Sequence, residues 1–108
     1  MTRTGATRKY RNEPTVVDGI RFASKKEARR YGELKLLARG GEIRDLKTQP
    51  PYDLVVNGTK VCRYVADFSY VTRAGLPVTE DVKGVATEAF KIKAKLFRAL
   101  CGREVVVV

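Results

Sequence analysis

The 108-residue chain contains no histidine, no tryptophan and only two cysteines. Without histidine there is no Ser-His-Asp or Cys-His hydrolysis, no His-ligated zinc and no histidine acting as a general base. Cys62 and Cys101 are far apart and form no CxxC pattern. They predict neither a disulfide scaffold nor a zinc site, fit a reducing cytosol, and read as small apolar packing residues. No apolar run approaches the roughly 20 residues needed to span a bilayer. The N-terminus is polar and basic with no hydrophobic stretch behind it, which does not read as a secretory leader. A cytoplasmic protein with no membrane partner is expected.

What the chain does have is positive charge. Lysine and arginine number 22 against 12 acidic residues, a formal net charge of +10. On so small a protein, that excess points to a polyanionic partner. A basic amphipathic membrane helix would carry Trp and Phe along one face, and the helices here read instead as core-facing. Nucleic acid is the expected partner. If a phosphodiester is cut, the work falls to carboxylates, lysine and a hard metal ion.

The length predicts one domain, residues 1–108. Residues 1–16 hold Arg3, Arg8, Lys9 and Arg11 with few large apolar residues, and read as a flexible basic arm. Asp18-Gly19 marks a turn between Val16-Val17 and Ile20-Arg21-Phe22. A helix is predicted over Ser24 to Arg39, with Ser24 as its N-cap, Glu27 as the capping-box partner and Gly40-Gly41 as the stop. Tyr31, Leu34 and Ala38 share its core stripe, with Ala28 and Leu37 at the edges and Glu27 in the middle.

Strands are predicted over 42–49, 52–56, 61–71 and 76–83. Asn57-Gly58 and Ala74-Gly75 form turns, and Gly84 is the stop. Thr87 opens a second helix to about Leu100, with Ile92, Leu96, Ala99 and Leu100 on its core face and Cys101-Gly102 at its end. Arg103 to Val108 closes the chain as a valine-rich strand covered on both faces. The class is α/β, a mixed sheet packed by helices.

On a strand, residues two apart share a face, about 7 Å apart. Thr79, Asp81 and Lys83 therefore lie together, while Val78, Glu80 and Val82 face the other way. A carboxylate beside a lysine can bind a divalent cation and orient or deprotonate water, or offset phosphate charge. A hairpin centred near Arg73-Ala74 sets Asp67 nearly opposite Asp81, so the two acids can share one cation. Glu27, on the core stripe of the first helix, is a third acid.

Glu27, then Asp67, then Asp81-Val82-Lys83 in this order resembles the PD-(D/E)XK nuclease superfamily, and the element order resembles its αβββαβ core. The stretches DGIRFASKKEARRY, YVADFSY and EDVKG are similar to a family of small phage-encoded proteins of unassigned function placed there. The resemblance spans roughly residues 10–108. It implies a restriction-endonuclease-like fold with a mixed four- to five-stranded sheet. It also implies an endonuclease dependent on Mg²⁺ or Mn²⁺ and related to junction-resolving enzymes, acting on branched or duplex DNA in a bacterial host. Asp67, Asp81 and the Val82 carbonyl would ligate the metal, with Glu27 as a further ligand and Lys83 as the water-activating residue. Gln49 would stand behind the site. Ala66 replaces the superfamily's leading proline.

Other readings remain open at this point. Asp67 and Asp81 can be ion-pair partners of Arg63 and Lys83, and Glu27 can be a helix cap alone. Lys25, Lys26 and Arg29 on the first helix, and Lys91, Lys93 and Lys95 on the second, either track phosphates or merely solvate a helix face. A non-catalytic nucleic-acid-binding phage accessory protein is the alternative function. Two symmetric cuts in a junction would call for a homodimer.

Overall fold

A computed structural model of the chain describes residues 13–83 and 86–108. They divide into two compact units, one ending at Glu33 and the other running from Leu34 to Val108. The predicted Gly84 stop, and residues 1–12 of the basic arm, lie outside the described residues. Thr15 and Val16, assigned above to that arm, belong to the first strand.

In the first unit, β1 (Thr15–Val17) and β2 (Ile20–Phe22) form an antiparallel hairpin. Asp18 and Gly19 both have positive φ, as a two-residue hairpin turn requires. Helix α1 (Lys25–Arg39) begins in this unit and continues past Glu33. Ser24 Oγ accepts the Glu27 N–H at 3.2 Å, the N-cap bond expected from the sequence. Tyr31 packs its ring 5.1 Å from that of Phe22 and donates its hydroxyl to Asp18 Oδ2, tying helix to turn. The predicted stripe holds at Tyr31 and Leu34, which are buried, whereas Leu37 is exposed.

The second unit carries β3 (Ile43–Thr48), β4 (Pro51–Val56), β5 (Thr59–Val65), β6 (Phe68–Thr72), β7 (Pro77–Asp81), helix α2 (Glu88–Cys101) and β8 (Val106–Val107). A four-stranded mixed sheet runs β3-β6-β7-β8, with β7 and β8 parallel and the other pairs antiparallel. The parallel pair is joined through α2, as a parallel connection needs a long crossover. The α/β class therefore stands, with β4 and β5 forming a separate antiparallel hairpin closed by Asn57-Gly58. No helix among the described residues is long and apolar enough to cross a membrane.

Four sequence expectations change. The strand predicted over 61–71 is divided at Ala66-Asp67. Its partner breaks opposite, where Gln49 has φ +53 and Pro50-Pro51 follow. Proline has no N–H for the ladder, so the hairpin bends there. Thr48 pairs with Phe68 before the bend and Pro51 with Val65 after it, three residues on in one strand and three back in the other, so register passes through unbroken.

The core face of α2 is also rotated. Ile92 and Leu100 are exposed, as is Ala99, while Phe97 is fully buried with Phe90 and Leu96 packed in the same cluster. Aromatic bulk at positions 90 and 97, two turns apart, outweighs the aliphatic stripe. Phe97 meets Tyr52 at 5.1 Å and Tyr64 at 6.0 Å, with Leu54 and Ala66 completing the core.

Finally, the valine-rich end forms only the short edge strand β8, and Val106, Val107 and Val108 are exposed rather than covered on both faces. Of the cysteines, Cys62 packs on the core but Cys101 is exposed.

Candidate active site

The bend determines where Asp67 stands. Its carbonyl accepts the Gln49 N–H at 2.9 Å, and its own N–H donates to the Glu80 carbonyl at 3.1 Å. Asp67 is thus held from both flanking strands although it lies just outside β6. Phe68 pairs with Glu80, so Asp67 and Asp81 are the next positions along their two chains, as the hairpin predicted. The Asp67 side chain reaches past that pair, and its Oδ2 accepts the Val82 N–H at 2.7 Å. Hydrogen bonds to an ionised acceptor contribute roughly 1.5–3 kcal/mol. This one ties the bend to the end of β7.

Asp81 ends β7 and is almost wholly buried. Its Oδ1 lies 2.9 Å from Lys83 Nζ, and its Oδ2 accepts the Tyr64 hydroxyl. Lys83 falls beyond the strand predicted to contain it, yet the expected acid–lysine pairing forms. The Lys83 N–H donates to the Val108 carbonyl and the Val108 N–H to the Asp81 carbonyl, which continues the β7–β8 pairing past the acid. The ammonium also lies over the Phe90 ring, 4.4 Å from its centroid, a favourable cation–π placement.

Tyr64 comes from β5, across the hairpin, with its ring 6.1 Å from that of Tyr52. Burial first, then the hydrogen bond to Asp81 and the charges of Asp81 and Asp67, pushes its phenol far above the usual tyrosine range. It therefore stays a neutral donor to the carboxylate.

Glu80 is buried too, but its carboxylate accepts the Tyr70 hydroxyl. Pleating sets Glu80 and Tyr70 on the sheet face opposite Asp81, in agreement with the strand phase read from sequence. Glu27 lies in the first unit, partly buried in the first turn of α1, with its N–H on Ser24. Gln49 adjoins Asp67 through the backbone while its residue is exposed. Arg63, the other candidate ion-pair partner for the two acids, is exposed on β5 opposite Asp53. Of the ion pairs expected from the sequence, the structure forms Asp81 with Lys83.

The basic residues separate by position. Lys25 pairs with Glu13 at 3.1 Å, and Lys91 with Glu88 at 3.1 Å. Lys26 and Arg29 are exposed on α1. On α2, Lys91, Lys95 and Arg98 fall within one narrow stripe at 100° per residue and are exposed. Lys93 points to the other side and is half-buried.

A divalent cation would find hard oxygen donors in Asp67 and Asp81, the type that Mg²⁺ and Mn²⁺ prefer. No group of three or more His, Cys, Asp or Glu that could hold a metal occurs among the described residues. Two carboxylates are nevertheless within the usual protein share of a Mg²⁺ shell, which water and substrate phosphates complete. The donor types would suit such an ion, for which the Lys83 ammonium would have to leave Asp81 Oδ1.

A family model described as "Protein of unknown function (DUF1064)" matches residues 7–105. The chain belongs to this family. No curated protein and no solved structure matches the chain. The matched stretch contains Asp67, Asp81 and Lys83, together with Tyr64 and both faces of the bend.

Tyr64 is the site residue that the sequence reading missed. Tyrosine in a strand reads as ordinary core, and only the fold brings its hydroxyl to Asp81, 17 residues away. A faint signal was present, because a buried tyrosine seeks a partner for its hydroxyl.

Proposed function

We propose that this protein is a metal-dependent nuclease that hydrolyses phosphodiester bonds in DNA, on a PD-(D/E)XK-like core. The observation that carries the reading is the convergence of Asp67, Asp81 and Lys83 at one end of the β6–β7 pair. The net charge of +10 supports a polyanionic substrate. The proposal rests on the second unit alone.

Asp67, Asp81 and the Val82 carbonyl would hold Mg²⁺ or Mn²⁺. When bound, that ion would supply Lewis-acid polarisation of the phosphate and a nucleophilic water at neutral pH. Tyr64 holds Asp81 Oδ2 and so fixes the carboxylate plane. Val82 N–H does the same for Asp67. Lys83 gives up Asp81 Oδ1 and turns its ammonium to the substrate, where it orients water or offsets charge gathering on the phosphate. No base-reading element is evident among the described residues, so selection among DNAs rests on shape, with branched or junction DNA as the favoured class.

A second reading has its own support. Both Asp81 oxygens are already engaged, by Lys83 and by Tyr64. A satisfied carboxylate of this kind suits a nucleic-acid-binding accessory protein of a phage that has no cleavage activity. One experiment separates the two. Purified protein is incubated with branched, linear duplex and single-stranded DNA in Mg²⁺ or Mn²⁺, beside Asp81→Ala and Lys83→Ala. The nuclease reading expects metal-dependent cleavage that both changes abolish while DNA binding persists. Cleavage indifferent to Asp81→Ala would refute the site, and wild type inert on every DNA while still binding it would establish the accessory role.

A further inference from the structure

Gly102, with φ +74, caps α2 and turns the chain back. The next residue, Arg103, lays its guanidinium 5.1 Å from the Phe97 ring centroid and donates from Nη1 to Thr79 Oγ1 at 2.9 Å. Thr79 is fully buried and also shares a hydrogen bond with the Tyr52 hydroxyl. Arg103 is thus half-buried and held on two sides, yet no carboxylate pairs with it among the described residues. A partly desolvated cation without a counter-ion is costly, and such groups are normally paired.

Arg103 also lines an open cavity of about 290 Å³, with Lys47, Tyr52, Ser69, Tyr70 and Asp45. That volume lies at the small end of ligand sites, roughly 300–1,000 Å³. Lys47 is a second cation with no carboxylate partner among the described residues. It pairs across the ladder with Ser69, which in turn pairs with Thr79. Among the described residues Asp45 is the one acid in the lining, and Arg44 lies 3.8 Å from its carboxylate. Guanidinium carries five N–H donors in a planar fork suited to phosphate, and Thr79 uses one of them.

We propose that this cavity binds a phosphate group of the nucleic-acid strand, as a subsite beside the Asp67–Asp81 centre. The proposal rests on the nuclease reading only for the place of the scissile group. Pleating sets Ser69 and Thr79 on the same sheet face as Asp67 and Asp81, two residues along each chain, or roughly 7 Å. Arg103 holds a second phosphate of the strand whose scissile group faces Lys83. Its position is preset by Phe97 and Thr79, so little side-chain entropy is lost on binding.

The test uses the full chain without metal and with chelator. Inorganic phosphate, against chloride at equal ionic strength, is expected to move the NMR signals of Arg103 Nε–H and the Ser69 amide. A short single-stranded oligothymidylate is expected to bind Arg103→Met roughly ten-fold or more weakly than wild type, the effect of losing hydrogen bonds to a charged group. Arg103→Met keeps the stem over Phe97. Should it fail to fold, Arg103→Lys and Lys47→Gln carry the same comparison. Oligothymidylate affinity unchanged in these variants, or Arg103 signals that ignore phosphate, overturns the proposal. Assaying cleavage in Mg²⁺ beside the binding, for wild type and Arg103→Met, separates the two claims. Weakening by Arg103→Met in a protein that never cleaves DNA leaves the subsite standing and the nuclease reading refuted. Cleavage with no role for Arg103 does the reverse.

Discussion

Lys83 Nζ lies 2.9 Å from Asp81 Oδ1, and the two side chains are 29% and 2% exposed. The acid is thus buried while its base reaches the surface. Removing one partner of a buried pair costs roughly 3–5 kcal/mol because a charge is stranded. The partial exposure of Lys83 reduces this through solvent screening, to about 1–3 kcal/mol. Lys83→Met is expected to lower the melting temperature by several degrees at neutral pH. Asp81→Asn together with Lys83→Met should restore much of that loss, since the stranded charge is gone. Calorimetry on the four proteins of the cycle measures the coupling. Strict additivity would show that the pair does not act as a unit.

Tyr64→Phe probes the same carboxylate from the other side. It keeps the ring among Tyr52, Phe90 and Phe97 and removes only the donor to Asp81. Leaving a buried acceptor unsatisfied costs about 1–3 kcal/mol. The sign of the pH dependence follows from the raised phenol. An unfolded tyrosine ionises near pH 10, whereas folded Tyr64 stays protonated well above that. Its contribution is therefore complete below about pH 10 and declines as pH rises further. Alkaline denaturation curves should be shallower above pH 10 in Tyr64→Phe than in wild type. Superimposable slopes would mean that Tyr64 titrates normally.

Much of this site was legible in the sequence because strands obey a two-residue period and hairpins a simple register. Asp81 and Lys83 two apart, and Asp67 across the turn, needed no more than that. The strand boundaries were less legible. Residues 61–71 are uniformly strand-like, and the break at Ala66-Asp67 originates in Gln49-Pro50-Pro51 on the partner strand. A bend imposed by a neighbour leaves no mark on the segment that bends. Tyr64 and Arg103 were hidden for a related reason. Their partners, Asp81 and Thr79, are 17 and 24 residues distant and adjoin them only once the hairpin and α2 have packed.

Helix α2 gives a direct stability contrast. Its aliphatic residues suggested one core face, but its aromatics occupy another. Phe97→Ala empties a fully buried position between Tyr52, Tyr64 and the Arg103 guanidinium. A loss of about 3–5 kcal/mol is expected. Ile92 is largely exposed, and Ile92→Ala should change stability by no more than about 0.5 kcal/mol. Urea unfolding of the two variants decides the phase of the helix. Comparable losses would place Ile92 in a core after all.

The same helix tests whether its charge is functional or merely solvating. Each lysine or arginine that neutralises a phosphate on duplex DNA steepens the decline of log K with log salt by about 0.9. Lys91, Lys95 and Arg98 share an exposed stripe, whereas Lys93 lies off it. If the stripe follows the backbone, Lys95→Gln and Arg98→Gln should each flatten the slope by about 1, uniformly across DNA sequences. Lys91, engaged with Glu88, should contribute less, since binding DNA would first require leaving that partner. Lys93→Gln should leave the slope unchanged. Fluorescence anisotropy on labelled duplex over a salt series supplies these slopes. Equal effects from Lys93 and Lys95 would mean that only total charge matters, and would remove α2 from the DNA-facing surface.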